Sequence, residues 1–311
     1  MTSVMQRWMG QGNTVKPKYK VSDRLAGVLD ITRPILSTMG ALGVGAGAAL
    51  AYGGIPVWDK CVLGVIAALL AFAGIHAFND FVDQRRDVVC WPGRPIPSKR
   101  LAPTQALLIA LGSYAAALII VWFVFNPTCF YVSAVAIALG CAYSGYLRDR
   151  VGYLVLPPIE GTLWLCGWAA FSPDTLFNSW APWILWVFSA LWQAGHIMIY
   201  SPLHPIQHVK GEKLTQVPAL FKRTSPQAAT IIGFSFLTLS VAVSMYLGVY
   251  FDLGILYIIP TAIMAAVALI IAFRFMLDSE NFQKGIQAFS FATYFMLVAR
   301  VFMLLCVFIF F

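Results

Sequence analysis

Charge is scarce in this chain. Of 311 residues only 11% are Asp, Glu, Lys or Arg, with 13 acids and 4 histidines in all, while 60% are hydrophobic. A water-soluble domain needs more polar surface than this, so a soluble fold is excluded and the polytopic membrane class remains. Cysteine is also sparse. Cys61, Cys90, Cys129, Cys141, Cys166 and Cys306 occur singly; without paired spacing they make neither a zinc site nor a disulfide framework, and they read as small core residues. The net charge of +8 suggests nucleic acid at first sight. The bases lie between apolar runs, however, not on a polar domain interleaved with aromatics, which excludes that partner. The run that follows the basic N-terminal stretch is long and lacks a small-residue cleavage site, so no removable signal peptide is expected.

What the chain has is apolar length. Runs able to cross a bilayer, at ~20 residues per crossing, occupy 30–53, 57–80, 103–124, 127–146, 152–171, 178–200, 227–248, 252–275 and 285–310. The expected architecture is all-α, a polytopic nine-helix transmembrane bundle. Residues 1–28 form a basic tail lying along an anionic leaflet, and 29–311 form a single transmembrane domain. Alternate loops test this topology: 18 of the 21 Lys and Arg fall on one side, Lys60 stands alone on the other, and Arg33 and Arg300 lie within spans. The positive-inside bias makes the crowded side cytoplasmic.

On that side the second span runs into Asn79-Asp80-Phe-Val-Asp83-Gln-Arg-Arg-Asp87, followed by Arg94-Pro95-Ile96-Pro97-Ser98. Asn79, Asp83 and Asp87 fall at i, i+4 and i+8, so a helix stacks them on one face with Asp80 beside them. A cap at a helix end explains one acid, not three in register. Crowded carboxylates gain most from a divalent cation, and Mg²⁺ favours one or two carboxylates, waters and phosphate oxygens. Carboxylates at a membrane edge are costly and usually functional.

The stretch resembles the first aspartate-rich motif of the UbiA-type membrane prenyltransferases, including their chlorophyll-synthase and archaeal-lipid branches. The resemblance implies a nine-helix bundle and a Mg²⁺ cofactor. It implies that Asn79, Asp80, Asp83 and Asp87 hold the Mg²⁺-diphosphate of an isoprenyl donor, with Arg94 on the diphosphate. It also implies an aromatic or lipid-like acceptor taken from the membrane. Arg33-Pro34 resembles the arginine-proline that opens the family's first helix, although a membrane-edge anchor explains it equally well. Tyr143 to Arg150 resembles the family's tyrosine-then-base segment, with Tyr143 and Arg148 assigned to catalysis. Here the base stands at +5 and +7 from the tyrosine rather than the commoner +4, so Arg148 is the preferred diphosphate contact and Arg150 the second candidate.

After the sixth span the family's second aspartate motif is replaced by Tyr200-Ser-Pro-Leu-His204-Pro-Ile-Gln-His208-Val-Lys-Gly-Glu212-Lys213. His204, His208 and Glu212 repeat the i, i+4, i+8 spacing of the first motif, which suggests an internal duplication. Imidazolium suits phosphate better than imidazole suits Mg²⁺, so His204, His208 and Lys213 are assigned to diphosphate, with Glu212 a candidate metal ligand. A softer ion on the two histidines and a plain polar loop are the alternatives. Glu160 and Arg300, deep in spans, are expected to face the interior, either paired or lining a cavity. Trp164, Trp168, Trp183, Trp186 and Trp192 are expected mostly at lipid or the interface. Two rival functions stand beside the transferase: a UbiA-type terpene cyclase acting without acceptor, and a transporter using buried charges.

Overall fold

The computed structural model describes residues 20–152, 155–203, 207–209, 212–214 and 225–310. Among the described residues ten main helices follow one another: α1 Val21–Thr32, α2 Pro34–Tyr52, α3 Trp58–Cys90, α4 Pro103–Val124, α5 Pro127–Ala142, α6 Leu156–Phe171, α7 Ala181–Tyr200, α8 Pro226–Tyr250, α9 Gly254–Met276 and α10 Phe282–Phe310. Helices α1 and α2 form one interrupted span. Among the described residues eight spans are long and apolar enough to cross a membrane, and α6 completes the nine expected. A short antiparallel pair, β1 Gln207–Val209 with β2 Glu212–Leu214, follows α7.

Proline sets many of the helix starts. Pro34, Pro103, Pro127 and Pro226 each open a helix, where the missing N–H costs nothing and φ is already helical. Asn126 caps α5 by accepting from the Cys129 N–H at 2.9 Å, and its amide donates to Ala169 O and Ala170 O at the end of α6. One side chain thus starts one helix and finishes its neighbour. Helix α6 has only 16 residues, about 24 Å at ~1.5 Å per residue, short of the ~30 Å hydrocarbon thickness. It tolerates this because it is walled in by α2 and α7.

Close crossings need glycine. A Cβ on Gly167 of α6 would stand 2.0 Å from Val44 O of α2, and one on Gly195 of α7 would stand 2.8 Å from Leu237 N and 2.9 Å from Gly233 O of α8. With no hydrophobic drive between helices inside lipid, such backbone approach supplies much of the packing energy.

Glu160 and Arg300 are paired. Arg300, 1% exposed, donates to Glu160 Oε1 at 2.7 Å, Met39 O at 2.7 Å and Ser189 Oγ at 3.1 Å, joining α10 to α6, α2 and α7. The guanidinium also lies over the Trp164 and Trp192 rings, 5.6 and 6.0 Å from their centroids. The expectation for the tryptophans is corrected here. Trp164, Trp168 and Trp192 are buried, drawn inward by this cation and by hydrogen bonds from Trp168 to Thr175 Oγ1 and from Trp192 to Ala292 O.

Two further expectations change. Helix α1 begins at Val21, inside the stretch expected to be tail, and leaves Val21, Leu25 and Leu29 exposed in a row, an apolar stripe suited to lipid. The spacing of His204, His208 and Glu212 does not repeat the first motif on a helix: His208 and Glu212 sit on β1 and β2, with His208 opposite Lys213. His204 lies outside the described residues.

Replacing Gly195 by Val is expected to lower stability by about 1–3 kcal/mol, the usual range for overpacking a tight contact. Thermal unfolding in detergent measures this, and an unchanged transition would show that α7 and α8 do not depend on their close approach.

Candidate active site

Helix α3 is 33 residues long, about 50 Å at ~1.5 Å per residue, so the motif stays helical to its end. Asp80, Asp83 and Asp87 are 1%, 3% and 0% exposed. Three carboxylates in protein interior are costly unless paired. Each is paired, by arginines from three separate segments.

Arg33 stands between α1 and α2 with φ of 45°, in the left-handed region that a non-glycine residue adopts at a cost of roughly 1–2 kcal/mol. Pro34 bars α1 from continuing smoothly into α2, and the kink aims the arginine at Asp80, with which it forms an ion pair. Arg94 comes from the turn after α3. Its Nη1 lies 2.8 Å from Asp87 Oδ2 and 3.4 Å from Asp80 Oδ1. Burial opposes a charge on Arg94, but Asp80 and Asp87 outweigh it and raise its pKa above the ordinary arginine value.

The turn is itself held in place. Ile96 and Leu101 bury beside Ile31, Ala77 and Ala106, while Arg100 bonds Gly93 O and Ser98 Oγ and pairs with Asp30 of α1.

Arg148 is the third partner and grips Asp83 with both terminal nitrogens, the bidentate geometry at which a guanidinium is strongest. Its placement explains the irregular +5 spacing. Residues Tyr143–Leu147 form a single π turn, closed by the Arg148 N–H to Tyr143 O. A π turn absorbs one extra residue, so +5 here reaches the direction that +4 reaches in a regular α-helix. Tyr143 is buried at the start of that turn.

Not every expected residue joins the cluster. Asn79 donates to Ser144 Oγ at 3.3 Å, tying α3 to the π turn instead of facing the carboxylates' partners. Arg150 is exposed, with its guanidinium 4.4 Å from the centre of the Tyr146 ring. His208, Glu212 and Lys213 are described only as strand residues. Arg33, which the sequence balanced between anchor and site, belongs to the site. Asp30, Arg100 and Ser144 carried no signal in the sequence, since their roles depend on partners 70 and 65 residues away.

Hard carboxylate oxygens from one helix face suit Mg²⁺. Among the described residues no three acidic, histidine or cysteine side chains converge as a ready cation site, because each aspartate is turned to a guanidinium. The pocket also keeps unused polar atoms: His76 Nε2, one helical turn below Asp80, and Arg94 Nε are buried without a partner. The three carboxylates face Arg33, Arg94 and Arg148, and Arg86 stands 3.9 Å from Asp83 at the rim, so the centre carries no net negative charge and a dication and an anionic group fit into it together. The residues therefore fit the group.

Fold and site together define a helical membrane protein with a buried carboxylate–guanidinium centre at one edge. The family model described as "UbiA prenyltransferase family" matches residues 41–309, and the chain belongs to that family. It is 34% identical over 141 residues to digeranylgeranylglyceryl phosphate synthase of Methanopyrus kandleri, covering 45% of this chain and 51% of that relative; the chain thus matches about half the relative's length. It is 26% identical to protoheme IX farnesyltransferase of Desulforudis audaxviator, over 90% of this chain and 87% of the other. A solved UbiA homologue from Archaeoglobus fulgidus, bound to DMAPP and Mg²⁺, shares the fold with a TM-score of 0.56 at 12% identity, covering 89% of this chain and 98% of that one.

Arg148→Ala should leave Asp83 buried without its bidentate partner and cost about 3–5 kcal/mol. Adding Asp83→Asn to the same protein should recover much of that loss. Equal unfolding temperatures for the single and double variants would show that the pair is not what the cluster rests on.

Proposed function

We propose that this protein is an integral-membrane, Mg²⁺-dependent prenyltransferase that ionises an isoprenyl diphosphate and passes the prenyl group to an aromatic or lipid-like acceptor. The observation that carries the reading is the set of three buried aspartates on one face of α3, each held by a guanidinium from a different segment. Burying three acid–arginine pairs on one helix face adds little to stability, so a network serving structure alone has no use for them. The relatives' names add two acceptor types, a glyceryl phosphate lipid and a haem, and the residues described do not choose between them.

In this reading Asp80, Asp83 and Asp87 hold the cation, and Arg33, Arg94 and Arg148 turn from the carboxylates to the diphosphate oxygens. Bound Mg²⁺ supplies positive charge to the leaving diphosphate. As the allylic C1–O bond breaks, its electron pair goes to the diphosphate, and the arginines stabilise the charge gathering there. Phe72, 6.4 Å from His76 between their ring centres, presents an aromatic surface below the carboxylates, suited to the allylic cation. Apolar walls keep water from capturing that cation. The acceptor then forms its bond to C1 and gives up a proton.

The motif side is cytoplasmic in this proposal, from the bias of 18 of 21 bases toward it. His204, His208 and Lys213 are proposed to bind the diphosphate, with Glu212 a metal ligand.

Asp87→Asn and Asp80→Asn should each reduce Mg²⁺-dependent diphosphate release by about 10²-fold or more, the scale expected when transition-state charge loses its stabiliser. The protein should still elute as a monodisperse peak. Full turnover in either variant would remove that residue from the site. Cyclised hydrocarbon formed from the donor alone, with no acceptor present, would replace the transferase reading by the cyclase.

A further inference from the structure

One polar group at the site takes no part in its ion pairs. From Val62 to Phe78 helix α3 is apolar apart from His76, which stands one helical turn from Asp80, roughly 6 Å along the axis at ~1.5 Å per residue. Its Nε2 is buried without a hydrogen-bond partner. A ring nitrogen shut away from water with nothing to bond weakens a fold, so stability alone gives no reason to keep it there. The neighbouring Phe72 offers it a ring and no polar atom. His196 shows the contrast: its Nε2 lies 2.9 Å from Thr293 Oγ1, and its ring stacks on Trp192 with centres 4.7 Å apart. That histidine is held on all sides.

The other bases of the site are committed. Asp80, Asp83 and Asp87 each face a guanidinium. The charged groups that face His76 are Arg33 from the α1–α2 junction, Arg94 from the turn after α3, and Asp80 on its own helix. Position adds to this. The charged face of α3 ends at Asp80, whereas Phe72 and Ile75 border an apolar cavity of about 320 Å³ between α2 and α3. His76 stands where one setting gives way to the other. A prenyl diphosphate has the same change at its C1–O bond, with diphosphate on one side and hydrocarbon on the other.

We propose that His76 accepts the proton that the acceptor gives up when it bonds to C1. The inference rests on the prenyltransferase reading of the carboxylate site and supplies the base that such a transfer needs. With a hydroxyl acceptor, an oxygen lone pair forms the bond to C1 while the C1–O electron pair departs with the diphosphate. The acceptor's O–H bond then breaks, its electron pair stays on the oxygen, and the proton moves to the imidazole lone pair. With an aromatic acceptor the ring C–H bond breaks in the same way, and its pair restores the aromatic ring. The imidazolium afterwards passes the proton to the departing diphosphate or to water. Once bonded to C1 the acceptor is an oxonium or arenium ion, far more acidic than imidazolium, so an imidazole beside two guanidiniums is base enough. Until that proton leaves, the new bond can reopen, and the cation is lost to water or sheds a proton of its own.

Ionisation and proton removal can therefore be separated. His76→Gln keeps a polar side chain and removes the base. It is compared with the unaltered protein in nanodiscs with Mg²⁺, farnesyl and geranylgeranyl diphosphates as donors, and phenol and geranylgeranylglyceryl phosphate as acceptors. Diphosphate release by the variant should stay within about threefold, while prenylated acceptor formed per diphosphate falls about tenfold or more, the scale of a lost general base. Prenyl alcohol or acyclic hydrocarbon should make up the difference. Binding of geranylgeranyl thiolodiphosphate with Mg²⁺ should be alike in both proteins. His76→Leu gives a readout independent of turnover: because Nε2 has no partner to lose, its unfolding temperature in detergent should equal or exceed that of the unaltered protein.

An unchanged ratio of adduct to diphosphate sends the proton elsewhere and overturns the proposal. So does a fall in diphosphate release that matches the fall in adduct, which assigns His76 to ionisation, and so does a lower unfolding temperature for His76→Leu, the mark of a structural histidine. Diphosphate release by the unaltered protein with no adduct to either acceptor overturns it as well, since no acceptor proton is then taken. If the unaltered protein neither binds the thiolodiphosphate with Mg²⁺ nor releases diphosphate, the carboxylate reading fails and the role of His76 falls with it.

Discussion

The structure is organised by the need to neutralise three carboxylates that α3 carries into the protein interior. Carboxylates at 1–3% exposure or less cannot be left alone in a low-dielectric setting. The chain answers with three arginines, and each requires an irregular piece of backbone to bring it in. Arg33 needs a left-handed residue between two helices, Arg94 needs the proline-framed turn, and Arg148 needs a π turn. The left-handed residue at Arg33 and the π turn at Tyr143–Leu147 each bring one guanidinium to this helix face.

Away from that edge the bundle is built by a different rule. Where helices cross over glycine, as at Gly167 and Gly195, their backbones touch. Where small residues on α2 and α3 face each other without a close crossing, the same residue types leave an open lumen. Small side chains thus serve opposite ends, and the helix geometry around them decides which.

Much of this was readable in the sequence. The apolar runs mark all nine spans because a bilayer-crossing segment must be long and nearly free of charge, and the aspartate register survives because α3 continues through it. The +5 spacing of Arg148 was visible as an anomaly, but its cause, one residue absorbed by a π turn, depends on backbone geometry that no composition reports. Arg33 was ambiguous for a similar reason: an arginine before a proline at a membrane edge has the same sequence whether it meets lipid headgroups or Asp80. The tryptophans were misplaced because propensity sends them to the interface, whereas a buried cation recruited Trp164 and Trp192. The histidine spacing misled most, since a period of four carries meaning only on a helix, and β1 and β2 are not helical.

The Arg300 junction has a mechanical consequence. Four helices, α2, α6, α7 and α10, are fastened to one another at a single buried point, so loss of the one guanidinium would loosen four elements at once and strand Glu160 without its partner.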